Sequence, residues 1–165
     1  MLQSIKQWLK EFLWYYKDMV GLPFTCFGHP KYLDEEIVRL LKLCGCHMVW
    51  LGIQNANENL RKHILNRYET NDEILSACKL IKKHGLKLMI DHIFGVPEEQ
   101  EEDMVYSYDF YKRLKPDVVN CYEMLYFPRT KINEYGKGKS HYQNQAGDFY
   151  KRYSKAFCSL PLMVN

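Results

Sequence analysis

An amide, a guanidinium and a carboxylate stand where strands of an α/β chain would end or in the loops beyond: Gln54, Arg67 and Asp91. Asp91 interrupts the apolar run from Leu86 to Phe94 and leads into His92-Ile93-Phe94-Gly95-Val96-Pro97, a strand end followed by a glycine turn. A lone buried carboxylate is costly unless it is paired or hydrogen-bonded. Asp91 is therefore either satisfied by nearby backbone, with His92 turned to solvent, or a ligand-contacting acid. Gln54 closes a second apolar run, His47 to Ile53, and offers both a donor and an acceptor. Arg67 follows a short helical piece and carries a planar fork suited to a carboxylate. Taken singly these are a loop amide and a solvated arginine. Together they fall at the carboxyl ends of strands or in the loops there, the side of a parallel sheet on which ligands bind.

The elements that must position them are legible in the periodicity. Ile5, Trp8, Leu9, Phe12, Leu13 and Tyr16 recur at helical spacing and predict an amphipathic helix ended by Gly21 and Pro23. Leu22 to Phe27 reads as a short strand. Asp34 caps a helix with Glu35 and Glu36 in its first turn, and Gly45 suits its C′ position. The run from His47 is a strand covered on both faces. After a short helical piece from Asn57 to Asn66, Thr70-Asn71-Asp72-Glu73 has the form of a capping box opening a helix that stops at Gly85. The strand to Phe94 comes next. A helix is then expected from Glu98 to Leu114, with Glu98, Glu99, Glu101 and Glu102 in an acidic first turn, and a fourth strand from Val118 to Phe127. Residues 129–147 read as loop, and Asp148 to Cys158 as a last helix. Strands separated by helical crossovers imply parallel pairing, but the pattern alone does not choose between an open sheet and a piece of a barrel.

With 165 residues and a hydrophobic share of 47%, the chain has the make-up of one soluble domain. No apolar run has the ~18–20 residues of a membrane helix, and the N-terminus lacks the features of a signal peptide; a cytoplasmic location is expected, without a membrane partner. The formal charge of +3 is dispersed, with no basic stripe, which argues against nucleic acid as a partner. The cysteines at 26, 44, 46, 78, 121 and 158 include no C-x-x-C pair and read as small buried hydrophobes.

Leu22-Pro23-Phe24, Leu41-Lys42-Leu43-Cys44-Gly45-Cys46, Gly52-Ile53-Gln54, Leu65-Asn66-Arg67, Lys82-Lys83-His84-Gly85, Asp91-His92-Ile93-Phe94-Gly95-Val96-Pro97 and Tyr126-Phe127-Pro128-Arg129-Thr130 follow one another along the chain. Together they resemble the C-terminal part (strands 3–6) of the radical S-adenosylmethionine barrel, over about residues 10–135. Members with a cobalamin-binding domain and oxygen-independent coproporphyrinogen oxidases share several of these motifs. The resemblance implies an α/β fold: a partial (β/α) barrel fragment of about four parallel strands with outer helices over 1–130. Residues 131–165 are then a loop and terminal helix rather than a separate domain. It further implies that Gln54 and Asp91 bind the ribose hydroxyls of S-adenosylmethionine and that Arg67 binds its methionine carboxylate, although Arg67 stands one residue farther from Gln54 than in those relatives.

The family's C-x-x-x-C-x-x-C motif, which holds a [4Fe–4S] cluster after the first strand, is missing, and Cys44-Gly45-Cys46 cannot replace it. A fragment that keeps part of the cofactor pocket, without catalytic or metal-binding residues of its own, is the expected result. It would be inactive without a cluster-bearing N-terminal part. The alternatives are a non-catalytic nucleoside-binding or interaction module and an unrelated α/β domain in which Asp91 and Gln54 are structural. A barrel left open exposes an apolar inner face and a free strand edge, so association with an N-terminal partner fragment or with itself is expected.

Overall fold

The computed structural model describes residues 2–137 and 144–164. Helix α1 (Leu2–Met19) is followed by β1 (Phe24–Gly28), a 3-10 turn (Pro30–Tyr32), α2 (Glu35–Leu43) and β2 (Cys46–Gln54). Then come α3 (Glu58–His63), α4 (Asn71–Lys83), β3 (Lys87–Phe94), α5 (Glu101–Leu114) and β4 (Val118–Glu123). Helices α6 (Lys131–Gly136), α7 (Asn144–Ser159) and α8 (Pro161–Val164) complete the chain.

The four strands are all parallel and lie in the order β1-β2-β3-β4. Each crossover therefore steps the same way, and right-handed connections stepping one way put their helices on one face. This is a wedge of a β/α barrel rather than a doubly wound sheet, whose order reverses. On the helix-covered outer face Val49, Leu51, Leu88, Ile90 and Phe94 are fully buried. Helix α7 closes the β4 side: Phe157 packs 5.1 Å from the Phe94 ring and 4.8 Å from the His92 ring. The inner face carries Phe27, Trp50, Met89, Asp91 and Tyr122, and no element among the described residues covers it; Phe27, stacked 4.6 Å from Trp50, is 76% exposed.

The local signals act as their chemistry dictates. Asp34 accepts from the Ile37 amide at 2.9 Å, and Thr70 and Glu73 close their reciprocal box. Gly45 and Gly85 turn the chain at positive φ. Several boundaries move. Helix α5 begins at Glu101, not Glu98: Glu98 takes a left-handed φ of 69°, and Glu99 turns inward to the Gly95 amide, so neither belongs to the first turn. Strand β4 stops at Glu123 instead of Phe127, because β3 ends at Phe94 and leaves no ladder to continue. Thr130 caps α6 within the stretch expected to be loop, and α7 starts at Asn144; the part of that loop over residues 138–143 lies outside the described residues. His92 is not turned to solvent but fully buried among the aromatic rings. Of the cysteines, Cys44, Cys46 and Cys78 are buried, Cys26 and Cys121 half-buried, and Cys158 exposed at the end of α7.

Candidate functional site

Strand β2 delivers Gln54 through an irregularity. Gly52 pairs with Asp91, but the next pair is Gln54 with His92, so one extra residue is accommodated on β2. Such a bulge re-aims the side chain beside it. Gln54 also takes a left-handed φ of 69°, unfavourable for a residue with a Cβ. The two distortions fold its side chain back over Gly52. A Cβ on Gly52 would lie 2.5 Å from Gln54 Nε2 and 4.0 Å from Arg67 Nη1, so only glycine leaves room for this arrangement. Gln54 Oε1 is buried there with no hydrogen-bond partner.

Asp91 reaches the same place from β3. Paired residues of a parallel ladder point to one face, and the partner of Asp91 is Gly52, roughly 4.8 Å away across the strands. Its other neighbour, Asn120 of β4, donates to Asp91 Oδ1 at 3.4 Å. Trp50 turns its indole N–H towards the carboxylate without closing a hydrogen bond. Burial raises the pKa of Asp91 above the ordinary carboxylate value, and these two donors offset that only in part.

Arg67 stands on the loop after α3, half-buried, its amide bonded to the Arg61 carbonyl at 2.8 Å. Its Nε and Nη2 both reach Glu69 Oε1 at 2.7 Å, which leaves the Nη1 side towards Gly52 and Gln54. The three side chains expected from the sequence thus surround one glycine at the carboxyl end of the sheet. An adjoining cleft of about 330 Å³ runs from Arg67 along Glu69, Tyr68, Tyr32 and His29.

Beneath them lies a polar scaffold that sequence reasoning missed. Arg61 is fully buried and donates to the carbonyls of Asn55 (2.6 Å) and Glu69 (3.0 Å) and to Asn71 Oδ1 (2.7 Å). Asn55 donates to Glu99, which also accepts from the Gly95 amide at 2.6 Å and so ties the turn after β2 to the turn after β3. Burial pushes the Glu99 carboxyl up to about 8. Arg61 sits in a run of basic residues and Glu99 in a run of acidic ones. Nothing in their spacing marks them as inward-facing.

Acceptors at Gln54 Oε1 and Asp91 and the Arg67 N–H groups suit a small molecule with vicinal hydroxyls and a carboxylate. The orphaned Gln54 Oε1 and the cradle at Gly52 are observations that fit S-adenosylmethionine. The residues do not fit an iron–sulfur cluster: the sequence has no C-x-x-x-C-x-x-C, and among the described residues no three His, Cys, Asp or Glu side chains are placed to hold a metal. No described helix is long and apolar enough to cross a membrane.

Comparison with known proteins agrees with this fold. An uncharacterised methyltransferase of Pyrococcus horikoshii is 27% identical over 116 residues, covering 70% of this chain and 25% of its own length. A tRNA-2-methylthio-N(6)-dimethylallyladenosine synthase of Clostridioides difficile is also 27% identical, over 68% of this chain and 24% of its own length. The chain thus spans about a quarter of these curated relatives. Among solved structures, methylornithine synthase superposes with a TM-score of 0.70 at 17% identity, over 97% of this chain and 44% of that one. The radical S-adenosylmethionine methyltransferase TsrM of Kitasatospora setae superposes with a TM-score of 0.67 at 22% identity, over 78% and 26%; at these identities the likeness is one of fold. The profile of the Radical SAM superfamily matches residues 10–111, and the chain, lacking the cluster-binding cysteine motif, belongs to that superfamily.

Proposed function

We propose that this chain is the strand 3–6 portion of a radical S-adenosylmethionine barrel that keeps the nucleoside side of the cofactor pocket and depends on a separate cluster-bearing segment for chemistry. Residues 1–130 form the partial barrel, and residues 131–165 extend it without making a second domain. Gln54 and Asp91 hold the ribose hydroxyls and Arg67 the methionine carboxylate. The observation that carries this reading is the convergence at Gly52: the Gln54 amide folded over it with an orphaned oxygen, Arg67 Nη1 beside it, and Asp91 one strand away. S-adenosylmethionine supplies radical chemistry in enzymes of this class. This chain's part is to orient the nucleoside and, with a partner covering the inner face, to exclude water. Cobalamin-associated members and coproporphyrinogen oxidase-like members are the subfamilies it resembles, the latter in the placement of Gln54 and Asp91, with Arg67 one residue farther from Gln54.

Calorimetric titration of the purified protein with S-adenosylmethionine tests the pocket. Binding that weakens at least about tenfold on Asp91→Ala, from loss of a charge-assisted hydrogen bond, is the expected result. No heat, or an unchanged isotherm for the variant, removes the pocket and leaves an interaction module. A cluster-bearing partner is tested separately. An in-frame C-x-x-x-C-x-x-C upstream or in an adjacent gene is expected, and about four irons retained by this chain alone after anaerobic reconstitution would contradict the division of labour.

A further inference from the structure

The geometry points to Glu69 as a positioning residue that fixes the Arg67 fork for a ligand carboxylate, an inference that rests on the proposed S-adenosylmethionine pocket. A guanidinium has two edges that can each present a pair of N–H groups. In Arg67 the side-on edge, Nε and Nη2, is spent on one oxygen of Glu69, both at 2.7 Å. The end-on edge, Nη1 with the second hydrogen of Nη2, stays available, and Nη1 lies towards Gly52 and Gln54.

Glu69 is built to hold that orientation. Its side chain is 2% exposed, whereas that of Arg67 is 30% exposed. Its backbone carbonyl is gripped by the fully buried Arg61 at 3.0 Å, so the anchor is fixed through the main chain. The second carboxylate oxygen lies 3.8 Å from His29 Nε2, at the carboxyl end of β1. Burial would raise the Glu69 pKa, but its own backbone amide, Arg67 and His29 outweigh that and lower it, keeping the anion that the arginine needs. Without this anchor a long arginine on a loop would sample many rotamers, and a ligand would have to order it on binding.

The test separates positioning from mere folding by using two ligands that differ only at the carboxylate: S-adenosylmethionine and its decarboxylated analogue. Both are titrated against wild type, Glu69→Gln and Glu69→Ala, with melting temperatures recorded alongside. Ordering one rotamer-rich side chain is worth roughly 3- to 10-fold in affinity. Glu69→Ala should therefore weaken S-adenosylmethionine by about that factor and leave the analogue unchanged. Glu69→Gln, which keeps an acceptor oxygen, should recover part of the loss. Equal weakening of both ligands means a structural role and overturns the assignment, as does a wild-type affinity for S-adenosylmethionine that neither variant changes. If Glu69→Ala does not fold, the same comparison of the two ligands on Glu69→Gln decides. A wild type that binds neither ligand fails differently: it removes the pocket itself, and Glu69 with it.

Discussion

The two faces of the sheet are finished to different degrees. Along β3 the side chains alternate between them: Leu88, Ile90, His92 and Phe94 point to the helices and are fully buried, while Met89, Asp91 and Ile93 point to the inner face and remain half-exposed. Both sets are largely apolar. What differs is what lies opposite: α2, α4, α5 and α7 on one side, no described element on the other. The outer face holds the chain together; the inner face is open among the described residues, with Asp91 and Asn120 beside Gly52.

Paired truncations on adjacent residues should show this contrast most strongly. Ile90→Ala opens a cavity in a packed layer and should cost about 2–5 kcal/mol in a urea melt. Met89→Ala, its neighbour, removes contacts on an open surface and should cost about 1 kcal/mol or less. Equal losses would mean that the inner face is already covered in solution. A cost for Met89→Ala that rises when a partner is added would identify that partner as the cover.

His92 sharpens the same contrast through pH. Burial holds its pKa at about 3, well below the ordinary value of 6.5, and one ring nitrogen shares a 2.9 Å hydrogen bond with Tyr111 while the other has no partner. The unfolded chain therefore takes up a proton on this ring between pH 6.5 and 3 that the native chain refuses. Stability from neutral His92 is complete above pH 6.5 and is lost as pH falls towards 3, by up to about 1.4 kcal/mol per pH unit. His92→Phe should flatten that part of the stability–pH curve while costing about 1–3 kcal/mol at neutral pH, because the Tyr111 hydroxyl loses its partner. An unaltered acid slope in the variant would place the titration elsewhere.

Across the sheet, Phe27 is the apolar ring most exposed on the inner face, beside the free edge of β1. Phe27→Lys should leave the melting curve nearly unchanged, within about 0.5 kcal/mol, yet reduce association measured by light scattering at high concentration. A wild type that stays monomeric there would show that the open face tolerates water as it is.

How much of this was legible in the sequence follows the same division. The outer face could be read because its period is strict: Ile74, Ala77, Cys78 and Ile81 on α4 are where spacing puts them, whereas the continuous apolar run of β2, which predicts cover on both faces, is buried only on the outer one, Met48, Trp50 and Gly52 staying half-exposed. Caps were legible for the same local reason. Glu99 and Arg61 were not, since an acid before a helix and a base within one look solvated until the turns after β2 and β3 are brought together. The α1 stripe misleads in the opposite sense: its period is as clean as that of α4, but Leu13 is buried while Trp8 is 60% exposed, because the layer it should cover is incomplete. The distortion at Gln54 had no sequence signal beyond Gly52 itself, since neither a bulge nor a left-handed glutamine follows from composition.

The smallest effect on stability should come from the residue with the largest expected effect on binding. Asp91 sits on the half-finished face, its pKa raised first by burial and only partly recovered by Trp50 and Asn120. A carboxyl whose folded pKa lies above its unfolded value loses stability as pH rises through that interval, so at neutral pH the ionised group is held at some cost. Asp91→Asn removes the charge, keeps an oxygen to accept from Asn120, and should therefore leave the protein unchanged or slightly more stable, within about 0.5 kcal/mol. The gain should shrink below the ordinary carboxylate pKa, where the wild-type side chain is protonated in both states. By contrast, truncating the buried Glu99, which ties the turns after β2 and β3 through Asn55 and the Gly95 amide, should cost stability in Glu99→Ala. If Asp91→Asn proves as damaging as that, Asp91 is a structural acid, and the cost of its burial is borne for the fold rather than for a ligand.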